Sequence, residues 1–437
     1  MIGLVSIAIG FIIMLGLMLL GLPVAVAMFA TAALGAALYG GLPTLLEFGN
    51  LMWGTLENFI LVAIPLYILL GEILLRSGIT ERMYTALSYW LYALPGGLLH
   101  TNIAASATFA AVSGSSVATA ATIGTVALPA FRRRGYNERM VLGSIAGGAT
   151  LGILIPPSIN LIIYGALTET SIGQLFLAGI IPGLVLAVLF MLVIAVIALL
   201  RPSITGRPHD LPPLLERVAA LVHLVPLLVI FALVMGGIYF GWATPTESAA
   251  LGVLFTLVVA FVYGKLSVRM LHECLLSTVR TSSLMLLIFV AASYLTFILG
   301  LLGVPQTLTN IFTELDITPT QTIWAIVIFY LIMGAFLETL SMLFATIPVM
   351  LPIILAVGID PVWFGVFLVL MMEMALITPP IGMNLYVVQG VRGYGPVLDV
   401  VIGVLPFLAM ILVVVAIMIA FPEMATFLPE QMFRSLS

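Results

Sequence analysis

Two short polar stretches of this chain could supply oxygen ligands in an apolar setting. One is Ser113-Gly114-Ser115-Ser116, and its partner 224 positions on is Leu337-Glu338-Thr339-Leu340, followed by Ser341. Each lies between apolar segments too short to cross a bilayer singly, so hydroxyl side chains and irregular backbone are expected at membrane depth. Two further interruptions carry paired prolines: Ile155-Pro156-Pro157-Ser158-Ile159-Asn160, and Ile377-Thr378-Pro379-Pro380-Ile381-Gly382-Met383-Asn384. Each pair removes two backbone donors and frees carbonyls upstream, so the helix must unwind there. Freed carbonyls with Ser, Thr and Asn oxygens suit sodium, and the amino ends of half-helices suit an anion. Ser113, Ser115, Ser116, Thr339 and Ser341 could instead simply pack and bond helical carbonyls. A structural kink alone, by contrast, does not call for both Asn160 and Asn384.

Two carboxylates, Glu338 and Glu373, are expected deep in the second half, where an ionisable group is a functional candidate by default. For Glu373 a packing role stands level with a functional one, and Glu72 and Glu247 fall nearer span ends. No buried Arg is expected to clamp a carboxylate. The four histidines are scattered without metal-ligand spacing, which argues against zinc or haem. No Walker-type phosphate loop occurs, so ATP is not expected to drive this chain directly. Asp210, Asp316, Asp360 and Asp399 fall in loops or at span ends, unlike the clustered aspartates of a membrane-embedded transferase. No enzymatic activity or organic cofactor is expected.

The elements that must position these residues follow from composition. With 63% hydrophobic and 7% charged residues and a mean hydropathy of +1.30, the chain is expected to be an all-α polytopic membrane protein. Apolar runs of roughly 17–25 residues recur, and the alternating pattern of a barrel is absent. The net charge of −4 is spread over turns and argues against nucleic acid as a partner. The lone cysteine, Cys274, is placed in a connecting segment, as a small apolar filler. No Lys or Arg precedes Arg76, so the first apolar run is taken as a retained span rather than a signal peptide.

In order, spans are expected at 2–21, 25–40 and 58–75, then an amphipathic interfacial arm at 80–95. Residues 98–131 are too long for one span and too short for two, which predicts a re-entrant helical hairpin. A broken span at 140–165 and a span at 172–199 complete a first half, residues 1–200. A Pro-rich linker covers 201–217. The second half, 218–437, has spans at 219–240, 246–264 and 281–302, an arm at 304–317, a second hairpin at 320–357, a broken span at 362–390 and a last span at 396–421. Pro156-Pro157 matches Pro379-Pro380, Asn160 matches Asn384, Pro129 matches Pro352 and Pro182 matches Pro406, all at offsets of 223 or 224. The pattern predicts an internal duplication with ten full spans and two hairpins. Five spans in each half make the second repeat inverted relative to the first. An external N-terminus puts thirteen of the fourteen basic residues in the cytoplasm and leaves only Arg434 outside, as the positive-inside rule requires. Both termini are then external.

The Ser113 to Ala118 stretch, Pro129 with Arg132 to Tyr136, the Ile155 to Ser158 break, and Glu373 followed by Thr378 to Asn384 together resemble the large membrane subunit of tripartite ATP-independent periplasmic (TRAP) transporters. The likeness covers essentially the whole chain. It implies a sodium-driven importer of an organic anion, such as a C4-dicarboxylate, sialic acid or another sugar acid, in a bacterial inner membrane. It also implies an elevator mechanism, in which a domain holding both hairpins slides against a scaffold. The implied partners are a small four-helix membrane subunit, separate here because the chain opens on a span, and a periplasmic substrate-binding protein. Carried over residue by residue, the ion sites fall at Ser113, Gly114, Ser115 and Ser116, at Gly334, Glu338 and Thr339, and from Thr378 through Pro379, Pro380 and Gly382 to Asn384. Sodium is expected near Ser113, Ser115, Gly334, Thr339 and Thr378. The second tip lacks the Ser-Gly-Ser of the first, so identical ligands are not implied. A self-sufficient sodium symporter of the divalent-anion class is the alternative, and a passive channel a more distant one.

Overall fold

The computed structural model describes residues 4–205, 211–314, 317–380 and 382–436, and no strand occurs among them. Arg207, Pro208, His209 and Asp210 of the linker, with Asp316 and Ile381, lie outside the described residues. The first half contains α1 (Leu4–Leu19), α2 (Val24–Gly35), α3 (Gly41–Leu56), α4 (Ala63–Arg76), α5 (Ile79–Leu91), α6 (Leu98–Ser113), α7 (Ser116–Arg134), α8 (Glu138–Leu154), α9 (Ile159–Thr168) and α10 (Ile172–Leu200). Beyond the linker come α11 (Leu214–Ala220), α12 (Val225–Tyr239), α13 (Pro245–Val262), α14 (Val268–Leu301), α15 (Val304–Glu314), α16 (Pro319–Gly334) and α17 (Thr339–Ala356). The chain closes with α18 (Pro361–Leu376), α19 (Met383–Arg392), α20 (Leu398–Ala420) and α21 (Glu423–Leu436).

Two helices form the centre. Every residue of α8 from Met140 to Leu154 and of α18 from Trp363 to Leu376 is buried, the pattern of helices surrounded by protein on all sides. Lipid offers no hydrophobic drive for helices to associate, so close packing must hold this centre together, and glycine permits it. The backbones of Gly143 in α8 and Gly403 in α20 touch, and Gly147 seats the Phe407 ring. On the periphery, large apolar side chains face outward, among them Leu20 at 82% exposure, Trp242 at 80% and Phe261 at 71%. In water such a surface would aggregate; it is suited to a bilayer.

Eight helical stretches among the described residues are long and apolar enough to span a membrane, or nine if the bent pair 214–223 and 225–239 counts as one. Of the ten expected spans, 2–21 begins outside the described residues and is seen as a helix from Leu4 to Leu19, and 362–390 is broken between α18 and α19, where the paired prolines put the break. One of the eight, α17, belongs to the region expected as the second hairpin. The stretch 24–56 is not a single rod either. The rings of Phe29 and Phe48 are 4.7 Å apart, whereas 19 residues of straight helix would separate them by about 28 Å. The chain turns at Gly41, whose φ of +71° favours glycine. α3 is thus a separate helix that follows this turn.

Other boundaries differ. α14 begins at Val268, capped by the Ser267 hydroxyl, which accepts from the Met270 N–H at 3.2 Å. Cys274 is consequently not in a connecting segment; it is a buried helical residue whose thiol lies 3.9 Å from the Met270 sulfur. Met270, Cys274 and Thr278 turn one face inward while Arg269 stays outside, and that mixed polarity hides the helix in a hydropathy reading. The C-terminal helix α21, packed along α10, was also not expected. The arm helix α5 is joined to the helices behind it by a buried chain: the Tyr84 hydroxyl donates to Asn102 Oδ1 at 2.7 Å, and Asn102 Nδ2 donates to Ser144 Oγ at 2.8 Å.

Candidate functional site

The chain between α6 and α7 is only two residues long. Gly114 takes the left-handed conformation at φ +60°, and Ser115 caps α7, its hydroxyl accepting from the Ala118 N–H at 3.3 Å. Ser113 is buried, and its Oγ lies 3.2 Å from Thr119 Oγ1. Thr119 in turn donates to the Ser115 carbonyl at 2.7 Å. The tip is held by close backbone approach on two sides. A Cβ on Gly152 of α8 would sit 2.9 Å from the Ser115 carbonyl group, and one on Gly114 would sit 2.9 Å from the Pro157 oxygen. The first tip therefore lies directly against the first Pro-Pro break.

At that break, Pro156, Pro157 and Asn160 are all buried, and Ser158 caps α9 by accepting from the Leu161 N–H at 3.4 Å. Asn160 and Asn384 are each the second residue of their half-helix, α9 and α19. Their partners differ. Asn160 Nδ2 faces the Met372 sulfur at 3.7 Å, a weak acceptor. Asn384 Nδ2 donates to Ser116 Oγ at 2.7 Å and lies 3.5 Å from the Ala146 carbonyl. Ser116 Oγ itself donates to the Ala149 carbonyl at 2.8 Å. One junction thus joins α7, α8 and α19 across 268 residues of sequence. Asn384 is fully buried and its Oδ1 has no hydrogen-bond partner among the described residues. An orphaned buried acceptor costs about 1–3 kcal/mol.

The second tip forms a different kind of site. Glu338 occupies the capping position of α17 that Ser115 holds on α7, but it caps as a carboxylate. Its Oε1 accepts from the Ser341 N–H at 2.7 Å and the Ser341 hydroxyl at 2.6 Å, and its Oε2 from the Leu340 N–H at 3.1 Å. Glu338 is half-buried. Glu338, Thr339, Leu376 and Gly382 line one narrow crevice. Gly334 of α16 packs so closely on Ala375 that a Cβ would lie 2.6 Å from the Ala375 Cβ. Thr378 is half-buried, its hydroxyl donating to the Met374 carbonyl at 2.6 Å, and Pro379 and Pro380 are exposed. The expected site residues therefore form two clusters. Gly382 lines the second while Asn384, two residues on, closes the first, so the start of α19 belongs to both.

Glu373 is fully buried, and neither carboxylate oxygen has a partner among the described residues. Its neighbour Met372 is the residue that meets Asn160. A buried arginine was not anticipated: Arg392, at the end of α19, is 5% exposed and holds the chain's own Glu138 by two bonds of 2.9 and 3.1 Å and Asp399 at 3.0 Å. It is buried because α7, α8 and α20 converge on the end of α19. Thr119 and Gly152 were not singled out from sequence. The spacing of Gly143, Gly147, Gly148 and Gly152 along α8 was the available signal, a stripe of close-approach positions.

The family model for the tripartite ATP-independent periplasmic transporter, DctM component, matches residues 11–424. The sialic acid TRAP transporter large permease protein SiaM of Vibrio cholerae is 36% identical over 384 residues, covering 87% of this chain and 88% of that one. The C4-dicarboxylate TRAP transporter large permease protein DctM of Pseudomonas aeruginosa is 34% identical over 380 residues, with the same two coverages. Among solved structures, the YdaH transporter of Alcanivorax borkumensis superposes with a TM-score of 0.65 over 90% of this chain and 95% of that one, at 12% identity, a likeness of fold alone. The relatives are named as permease subunits of transporters rather than as enzymes. This chain belongs to the DctM family of TRAP transporter large permeases, as a multi-pass membrane subunit of a secondary transporter.

Proposed function

We propose that this chain imports an organic anion, a C4-dicarboxylate, sialic acid or another sugar acid, across a bacterial inner membrane, driven by sodium. The observation that carries this reading is the Ser116–Asn384 junction, where a buried, unpaired Asn384 Oδ1 stands beside the first tip and the start of α19. Unwound backbone and amide oxygens of that kind coordinate sodium, while half-helix amino ends attract carboxylate. Neither needs a prosthetic group. In this reading residues 1–200 and 218–437 are two inverted repeats joined by the 201–217 linker, and the pairs α6–α7 and α16–α17 are re-entrant hairpins. They move with α8, α9, α18 and α19 as an elevator against the peripheral helices, and both termini face the periplasm. A small membrane subunit widens the scaffold, and a periplasmic binding protein delivers the substrate.

The test is uptake into proteoliposomes holding this chain and its small subunit, across a panel of organic acids, with and without each acid's binding protein. Uptake that requires the binding protein is expected and identifies the substrate. Equal uptake without it would overturn the tripartite reading in favour of a self-sufficient symporter.

A further inference from the structure

Away from the junction, α1, α2, α14 and α17 line an open-mouthed cavity of about 190 Å³. Gly10, Phe11 and Met14 of α1, Leu34 of α2, Leu299 of α14 and Val349 of α17 are among its walls. Among the described residues, no Asp, Glu, Lys or Arg lines it. Sodium and an organic anion would each be stripped of water there with nothing in exchange.

Water is equally unsuited, because a water molecule needs several polar partners and these walls are almost entirely apolar. The rim residues Ile9, Ile13 and Leu38 are exposed, so the mouth is continuous with the apolar outer surface of a multi-pass membrane protein. Hydrocarbon is what meets it. Only a short turn joins α1 to α2 and the two helices pack together, so the start of one and the end of the other lie at the same end of the pair. Two lining hydroxyl residues, Ser6 and Tyr39, are at that end, where a lipid's ester groups would be. We infer that this cavity binds one acyl chain of a membrane phospholipid. Since α17 supplies one wall and α1, α2 and α14 the others, the acyl chain is a wedge that must shift when α17 slides. The wedge role rests on the elevator reading proposed above; the binding does not.

Gly10 provides the test, because it lines the cavity and a Cβ built there meets no atom within 4 Å, so a larger side chain would project into the cavity. The complete complex in nanodiscs is exposed to a phosphatidylethanolamine with a photoactivatable group on its acyl tail, and the labelled residues are mapped by mass spectrometry. Labelling of Phe11, Met14 and Leu34 that ordinary phosphatidylethanolamine competes away, and that Gly10→Leu lowers severalfold, is expected. Leu38→Trp, which blocks the mouth, is the second variant should Gly10→Leu fail to fold. Labelling that does not saturate or is the same in the variant, or crosslinks from these residues to the small subunit, would overturn the site. A severalfold change in initial uptake rate in the same variant is expected of the wedge. Unchanged uptake with labelling lost would overturn that role and leave the binding site standing.

Discussion

At the scale of single residues, Asn384 is the side chain on which the account depends. Its amide nitrogen is used by Ser116 and Ala146, and its oxygen is left over in a fully buried place. Asn384→Ala should raise the sodium concentration needed for half-maximal uptake severalfold while the protein still folds. Thr125→Ala, which removes an exposed hydroxyl bonded only to its own helix, should leave the sodium dependence unchanged. Equal sodium curves for wild type and Asn384→Ala would remove the amide from the ion site. The position of Asn384 beside the second break was legible from its offset after paired prolines. Its partner was not, because nothing local in the sequence ties position 384 to position 116. The role of Glu338 was half legible: its position was marked, but a carboxylate in the capping place of Ser115 follows only from the start of α17.

Elements were legible in proportion to how uniformly apolar they are. α10 and α20, apolar along their length, lie close to where hydropathy places them. α14 was cut short because its first turns carry Arg269, Glu273 and Arg280 on an outward face. α3 and α21 were missed because each is amphipathic and lies beside the core rather than through it. Packing between elements gives two predictions. Gly152→Ala would bring a Cβ to 2.9 Å from the Ser115 carbonyl, forcing the first tip away from α8. Such overpacking costs about 1–3 kcal/mol, and uptake should be lost with the protein still inserted and monodisperse. Gly54→Ala, which meets no neighbour, is the matched control. Arg392→Gln leaves Glu138 and Asp399 without their shared cation. Breaking a fully buried pair costs about 3–5 kcal/mol; Glu138 is 39% exposed, so the loss should be smaller, yet visible as a lowered melting temperature. An unchanged melting temperature would show that the cluster contributes nothing to holding α19 in place.

For the whole molecule, composition alone established the class, and the duplicated Pro-Pro and Asn positions pointed to the two breaks the structure contains. What composition leaves open is the arrangement of helices around α8 and α18, since an apolar face can turn toward protein or lipid with little change in sequence. Orientation follows from charge. A cysteine introduced at Arg133 should react with an impermeant thiol reagent only from the cytoplasmic side, and the native Cys274, being buried, should stay silent. Labelling from the periplasm would reverse the topology. The central claim is that sodium drives import, and the most direct measurement is substrate accumulation by the reconstituted complex, with its binding protein, under an imposed inward sodium gradient. The account predicts accumulation above equilibrium that collapses when a sodium ionophore is added or potassium replaces sodium outside. Equal accumulation with potassium in place of sodium would contradict it.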